Sequence, residues 1–177
     1  MKVLAIIFDG FEEEEAVAPF ALLRRAKVDL TIASDKETVI GNHNIALTNI
    51  SLLKNLNYKD FDCLLLPGGP HYKRLLIDEY VHEIIRYFMD NNKVLAAICA
   101  APTIVGKLGY LKNRKYTCFT SMNEDFGGTY IDEKVVVDGN LITARSVASA
   151  ILFAYAIVEK LLGKEALKAL FEHIYEK

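Results

Sequence analysis

Short runs of apolar residues alternate with stretches of helical periodicity from the start of the chain. The first run, Val3 to Phe8, is rich in β-branched residues, which favour strands. A helical pattern over Glu12 to Ala26 follows it, and a second strand-like run covers Val28 to Ala33. This order predicts a βαβ unit at the beginning of the chain.

The alternation continues through the middle of the chain. Strands are predicted at Cys63 to Leu66 and Val94 to Ile98, and helices at about Leu75 to Met89 and Ala100 to Lys107. The strands lack polar alternation, as is typical of a parallel sheet that helices cover on both faces. The pattern therefore predicts an α/β fold, a three-layer α/β/α sandwich with a mostly parallel sheet.

Residues 116–143 break this rhythm. Gly127-Gly128 and Asp138-Gly139 are turn signals, and they bound or join the apolar runs Val135 to Val137 and Leu141 to Thr143. This segment predicts a small antiparallel excursion from the parallel sheet.

The last third of the chain has the pattern of two consecutive helices. Ser146 is predicted as the N-cap of an apolar helix over Val147 to Leu162, which Gly163 ends. A final amphipathic helix is predicted from Lys164 to Tyr175. Because no linker or repeat interrupts the chain, we expect one domain over residues 1–177.

Composition and charge exclude some classes of binding partner for this protein. Of the 177 residues 52% are hydrophobic, and the formal net charge is -2, so no basic surface for nucleic acid or anionic membranes is expected. The opening ten residues turn acidic too soon for a signal peptide, and no apolar stretch approaches the roughly 18 residues of a membrane span. We expect a cytoplasmic protein whose partners are small molecules or other proteins.

Three cysteines, Cys63, Cys99 and Cys118, are an odd number without C-x-x-C spacing. This argues against a disulfide framework and against a structural zinc site, and it leaves at least one free thiol. Cys63 lies inside an apolar strand and is interpreted as a packing residue. Cys118 lies in an irregular segment, where it either lines a cleft or fills space.

Cys99 follows the strand Val94 to Ile98 directly, and small residues and Pro102 follow it. This pattern predicts a sharp strand-to-helix turn that presents the thiol at the carboxyl edge of the sheet, where open α/β folds bind ligands. The dipole of the following helix is expected to lower the pKa of the thiol. The alternative is that Cys99 is a small buried hydrophobic residue.

Four glutamates, Glu12 to Glu15, open the first helix. Carboxylates at a helix N-terminus interact favourably with its dipole, so most of the run is interpreted as a solvated helix start. Pro19 distinguishes Glu15, because proline cannot donate to the carbonyl four residues earlier and bends the helix there. A bend aims one carboxylate inward, and a desolvated glutamate beside a thiolate has a raised pKa suited to proton transfer.

Gly68 and Gly69 follow the strand Cys63 to Leu66, again at a carboxyl edge of the sheet. Paired glycines let backbone N–H groups approach a ligand, as an oxyanion hole requires, although glycine is also common in ordinary turns. His71 comes next and is a candidate base. Arg145, just past a strand, either binds an anionic group of the substrate or pairs with a surface carboxylate.

The remaining histidines, His43, His82 and His173, are predicted to be structural or solvated, with His82 and His173 on surface faces of helices.

Three segments in this order, Glu12 to Pro19, Leu65 to Gly69 and Ala96 to Thr103, resemble the ThiJ/PfpI superfamily, in the branch of the Parkinson-associated protein deglycase. The resemblance continues through Leu141 to Arg145 and Ala156 to Lys164, and so covers nearly the whole chain. It implies a flavodoxin-like sandwich, a homodimer, and no metal or organic cofactor.

The resemblance also implies roles for single residues. Cys99 matches the reactive cysteine of the family, Glu15 matches the carboxylate bonded to it, and the N–H groups of Gly69 and Ala100 match the oxyanion pocket. Gly68, His71 and Arg145 are candidates for substrate binding.

The chain departs from the family pattern at both usual sources of histidine. Phe119 stands where several relatives carry a histidine near the cysteine, and Ala100 stands where the peptidase branch has one. Pro70-His71 changes the loop after the glycines, and Arg145 to Ser149 lacks the glycine-proline turn of close relatives.

Three functions compete. The resemblance implies a cysteine-dependent glyoxalase or deglycase acting on 2-oxoaldehydes such as methylglyoxal. The alternative is a redox-sensing stress protein or chaperone in which Cys99 is oxidised and a protein partner reads the change. A cysteine peptidase or glutamine amidotransferase is disfavoured, because the only late histidine, His173, is badly spaced for a triad.

Overall fold

The computed structural model describes residues 1–175. Its central sheet has seven strands in the spatial order β10-β11-β7-β6-β1-β2-β5, and every pairing in it is parallel except that of β10 with β11. This arrangement confirms the predicted parallel sheet with an antiparallel excursion. The strands in chain order are β1 Lys2–Ile6, β2 Asp29–Ser34, β3 Val39–Ile40, β4 Ala46–Leu47, β5 Ser51–Leu52, β6 Cys63–Leu66, β7 Val94–Ile98, β8 Lys115–Tyr116, β9 Thr129–Tyr130, β10 Val135–Asp138 and β11 Leu141–Ala144.

Helices cover both faces of this sheet. Successive side chains of β6 point to opposite faces, so Leu64 and Leu66 join one hydrophobic core and Cys63 and Leu65 join the other. The first core also holds α3 and α4, and the second holds α1, α5 and α6, which confirms the three-layer sandwich. The helices are α1 Glu13–Arg25, α2 Tyr72–Leu75, α3 Glu79–Asp90, α4 Pro102–Lys107, α5 Ala150–Leu162 and α6 Lys164–Ile174.

Two helix boundaries differ from the sequence-based expectation. The helix predicted over Leu75 to Met89 is interrupted after α2, because the Asp78 side chain accepts hydrogen bonds from the N–H groups of Tyr80 and Val81 and starts α3 afresh. The Ser146 side chain caps no helix. Its backbone is extended, its carbonyl accepts a hydrogen bond from Ser149, and a 3-10 turn precedes α5.

The most apolar helix, α5, belongs to one helical layer and packs toward the sheet through residues such as Phe153, Ile157 and Val158. Its 13 residues are fewer than the roughly 20 that a membrane-spanning helix needs. Nowhere in residues 1–175 is a helix both long enough and apolar enough to cross a bilayer. The predicted single domain extends to Glu176 and Lys177, which lie outside the described residues.

Candidate active site

Cys99 occupies the turn between β7 and α4, and its backbone is left-handed, with φ of +64°. This region costs a residue other than glycine about 1 to 2 kcal/mol, so the surrounding structure must hold the turn in place. The Cys99 N–H donates to the carbonyl of Ala144, the last residue of β11, at 2.9 Å, and the Cys99 carbonyl accepts from the N–H of Phe119 at 2.8 Å. The predicted sharp turn is present, and the half-buried thiol lies at the carboxyl edge of the sheet.

Glu15, in the first turn of α1, is fully buried. Its Oε2 accepts a hydrogen bond from the N–H of Gly68 at 3.1 Å, and its carboxyl group lies beside the Cys99 thiol, with Gly68 packed against both side chains. Its Oε1 has no nitrogen or oxygen donor within hydrogen-bond distance among the described residues. The structure therefore brings the predicted pair together and leaves one carboxyl oxygen available for proton transfer.

Gly68 packs directly over this pair. A Cβ atom at Gly68 would lie 2.4 Å from Oε2 of Glu15 and 2.6 Å from Cβ of Cys99. Both distances are far below van der Waals contact. The glycine predicted here is thus required because any side chain would separate the thiol from the carboxylate.

Gly69 lets two loops cross closely beside the site. Its φ is +97°, and a Cβ atom on it would lie 2.4 Å from the backbone nitrogen of Glu12. The Glu12 N–H donates to the Gly68 carbonyl at 2.9 Å. These contacts fix the loop after β6 against the start of α1, which sets the distance between Glu15 and Cys99.

The pKa of Glu15 is raised from 4.5 to about 7. Desolvation is the largest cause, and the nearby carboxylates of Glu12 and Glu14 add to it, while the bonds from Cys99 and Gly68 oppose it. Glu15 is consequently able both to accept and to donate a proton near neutral pH.

Burial, and then the carboxylate of Glu15, raise the pKa of the Cys99 thiol, while the N–H groups of Ala100 and Gly69 lower it. The expected lowering by the helix dipole is therefore wrong as the net effect. One reason is that α4 has only six residues and begins with Pro102, which has no N–H to offer. Because two adjacent negative charges are unfavourable in this buried site, the two groups titrate as a coupled pair, in which the thiol keeps its proton while Glu15 loses its own near pH 7.

The residues of this site belong to a recognisable sequence pattern. A sequence model of the DJ-1/PfpI family matches residues 1–160. The chain belongs to the DJ-1/PfpI family.

Individual proteins of known structure or sequence are also similar to this chain over most of its length. The crystal structure of Drosophila melanogaster DJ-1beta superposes with a TM-score of 0.91 and 31% sequence identity, over 99% of this chain and 98% of that one. Deglycase PfpI of Pyrococcus furiosus is 34% identical over 149 residues, which are 82% of this chain and 90% of that protein. Protein DJ-1 homolog B of Arabidopsis thaliana is 35% identical over 169 residues, but these span only 39% of its length.

His71 does not serve this DJ-1/PfpI site in the way predicted. The ring is buried, its Nδ1 accepts from the N–H of Phe8 at 3.2 Å, and its Nε2 donates to the carbonyl of Pro67 at 2.9 Å. Burial lowers its pKa to about 4, so the ring is neutral and both nitrogens are occupied. The expectation that His71 is a base or a substrate ligand is wrong, since it joins the end of β1 to the loop after β6.

Of the two roles considered for Arg145, the structure shows the ion pair with a surface carboxylate. Its guanidinium pairs with Asp132, with Nη2 and Oδ1 2.9 Å apart. The prediction that it binds an anionic group of the substrate is therefore not supported by its position.

Two other histidines are placed as follows. His82 is buried and bonds through Nε2 to the Leu75 carbonyl at 2.9 Å, so its predicted surface position is wrong. His173 is exposed on α6, as expected. It lies beside Arg25 and Lys27, at the opposite end of α1 from Glu15.

The acidic run holds a cluster that sequence reasoning missed. Glu14 is exposed, but Glu13 is buried and accepts from the N–H groups of His43 at 2.7 Å and Ile45 at 3.3 Å. Possible metal-ligand atoms of Glu12, Glu13 and His43 all lie within 4.8 Å of one another. These bonds hold the loop between β3 and β4 on the start of α1, so most of the run is not the solvated helix start that we expected.

The other two cysteines are packing residues. Cys63 lies in β6 and is fully buried, and burial raises the pKa of its thiol. Cys118 is also buried, and its pKa is raised to about 11 for the same reason. Of the three thiols, Cys99 alone is not buried.

Proposed function

We propose that this chain is a cysteine-dependent, cofactor-free enzyme of the glyoxalase or deglycase type, acting on 2-oxoaldehydes such as methylglyoxal. The observation that carries the proposal is the placement of the buried Glu15 carboxyl group beside the Cys99 thiol, where burial raises the carboxyl pKa to about 7. The relatives named as deglycases, among them PfpI of Pyrococcus furiosus, support the deglycase class.

The first step forms a covalent adduct at the sulfur. The Glu15 carboxylate takes the proton of the Cys99 thiol as the sulfur attacks the aldehyde carbon of the 2-oxoaldehyde. The carbonyl oxygen takes up the negative charge and then that proton, which gives a hemithioacetal and returns Glu15 to its carboxylate form. In this proposal the N–H groups of Gly69 and Ala100 stabilise that oxygen, and their interaction with the Cys99 sulfur supports this role.

Glu15 then moves one proton between adjacent carbons. Its carboxylate removes the proton from the former aldehyde carbon, which gives an enediolate, and returns a proton to the neighbouring carbon. The hydroxyl proton on the first carbon passes to the oxygen of the second carbon, which leaves a thioester. The first carbon is oxidised and the second reduced, so no external oxidant is needed. Water cleaves the thioester, releases the 2-hydroxy acid and restores the thiol.

The direct test is product formation from methylglyoxal by the purified protein. We expect lactate in the presence of a metal chelator, and in deuterated water we expect deuterium on the carbon that Glu15 protonates, measured by NMR. Failure to form lactate above the level without protein would contradict the proposal.

Oxidation of Cys99 in a redox-sensing role is the second candidate, and the greater exposure of Cys99 relative to Cys63 and Cys118 favours it. Thiolate attacks hydrogen peroxide to give sulfenate and water, and a second equivalent gives sulfinate. Mild peroxide followed by peptide mass analysis should show oxygen on Cys99 before the other two cysteines. Equal oxidation of all three would exclude this role.

A homodimer stays a prediction of the family resemblance. It is supported by the exposed apolar side chains of Val17 on α1 and of Ile151 and Leu152 on α5, because these helices pack against each other and apolar surface favours association.

A further inference from the structure

Phe119 is an exposed aromatic residue at the edge of the reactive site. Its side chain is 43% exposed, while its N–H is bonded to the Cys99 carbonyl at 2.8 Å. The preceding residues, Tyr116 to Cys118, are buried in the core, so the chain emerges from the core at the reactive cysteine. What distinguishes Phe119 from other exposed apolar residues is this backbone bond, which holds its ring on the segment that adjoins the reactive cysteine.

Val147 is a second exposed apolar residue near the same turn, with 38% of its surface accessible. It lies three residues after Ala144, whose carbonyl accepts the Cys99 N–H. The Thr117 N–H donates to Oγ1 of Thr143 at 2.9 Å and thereby ties the segment of Phe119 to the end of β11. The segment that carries Phe119 therefore bonds to the carbonyl of Cys99. The segment that leads to Val147 bonds to the N–H of Cys99 through Ala144.

We propose that Phe119 and Val147 form an apolar wall beside the Cys99 thiol and select 2-oxoaldehydes that carry an aryl or branched alkyl substituent over methylglyoxal. This inference rests on the proposed function and specifies its substrate class. Burial of apolar substituent surface against these side chains strengthens binding in proportion to the area removed from water, and an aromatic ring adds favourable ring contacts.

The charged groups near this edge do not favour an anionic substituent. Arg145 is paired with Asp132, and His71 is neutral and engaged by backbone groups on both nitrogens. Glu15 would repel an anion when it is ionised. Apolar contact is therefore the selective interaction that this edge offers.

The test compares initial rates on methylglyoxal, isobutylglyoxal and phenylglyoxal in the wild type, Phe119→Ser and Val147→Ser. Isobutylglyoxal is included because phenylglyoxal also modifies arginine side chains. We expect the wild type to show kcat/KM at least about tenfold higher on both larger substrates than on methylglyoxal. Phe119→Ser should lose about tenfold of this preference and Val147→Ser a smaller part, measured as the ratio of kcat/KM on each larger substrate to kcat/KM on methylglyoxal.

Ile77→Ser is the matched control, because Ile77 is 78% exposed and lies between α2 and α3. It should leave the preference unchanged. Active variants that keep the wild-type ratio of kcat/KM values would overturn the inference. So would a Phe119→Ser variant that changes the oligomeric state and lowers all three activities equally, since Phe119 would then be a subunit contact. If the wild type forms no hydroxy acid from any of the three, the proposed function fails and this inference fails with it.

Discussion

Replacement of Cys99 by serine should lower kcat/KM for methylglyoxal by at least about 10³-fold, because a serine hydroxyl is not appreciably ionised near neutral pH and is a much poorer nucleophile. The substitution changes the sulfur to oxygen and leaves the backbone turn and the N–H groups of Gly69 and Ala100 in place. We therefore expect the free energy of unfolding to change by less than about 1 kcal/mol. Rates of lactate formation and denaturant unfolding curves measure the two effects.

Cys118→Ala is the matched control for this substitution. Cys118 is next to Phe119 in sequence, but it is buried and the pKa of its thiol is raised to about 11. The control should keep at least about half of the wild-type activity at 25 °C, since it removes a packing atom and no reacting group. Equal activity in Cys99→Ser and wild type would show that the reaction does not use the thiol.

Replacement of Glu15 by glutamine should lower kcat for methylglyoxal by about 10² to 10⁴-fold, the usual contribution of a positioned general acid and base. Glutamine has the same shape, and its oxygen can still accept the Gly68 N–H, but it cannot carry the proton between the two carbons. Binding should change less than turnover. A variant with near-normal kcat would contradict the proton-transfer role.

The same variant should change how stability depends on pH. The pKa of Glu15 is raised to about 7 in the folded protein against 4.5 when unfolded, so its favourable contribution is full below pH 4.5 and is lost as pH rises through 7. By linkage the loss amounts to about 3 kcal/mol. Relative to wild type, Glu15→Gln should therefore gain stability between pH 4.5 and pH 8 in denaturant unfolding, whereas Glu14→Gln, an exposed neighbour, should show no such trend.

Local sequence was sufficient to predict a feature where the residue types present favour one local structure. The strands Cys63–Leu66 and Val94–Ile98 lie where continuous apolar runs predicted them. The sharp turn at Cys99 followed from its place between a strand and small residues, and Pro19 singled out Glu15. These features depend on neighbours within a few positions, which is the range over which sequence patterns carry information.

Burial and side-chain partners were harder to predict, even where the partner lies close in sequence. His71 and His82 are buried and donate to the carbonyls of Pro67 and Leu75. Arg145 pairs with Asp132 at the open end of the β10–β11 hairpin. The pKa of Cys99 likewise depends on burial and on Glu15, which lies 84 positions earlier in the numbering. Such effects require the tertiary structure, since a local pattern does not show which groups remove each other from water.

The central claim, that Cys99 and Glu15 form one coupled unit, is tested most directly by the alkylation rate of Cys99 from pH 5 to pH 9. Iodoacetamide labelling with peptide mass analysis distinguishes Cys99 from the buried Cys63 and Cys118. In the wild type we expect the profile to depart from a single titration near pH 7, where Glu15 ionises beside the sulfur. In Glu15→Gln this step should be absent and one titration should remain, whereas superimposable profiles would contradict the coupling.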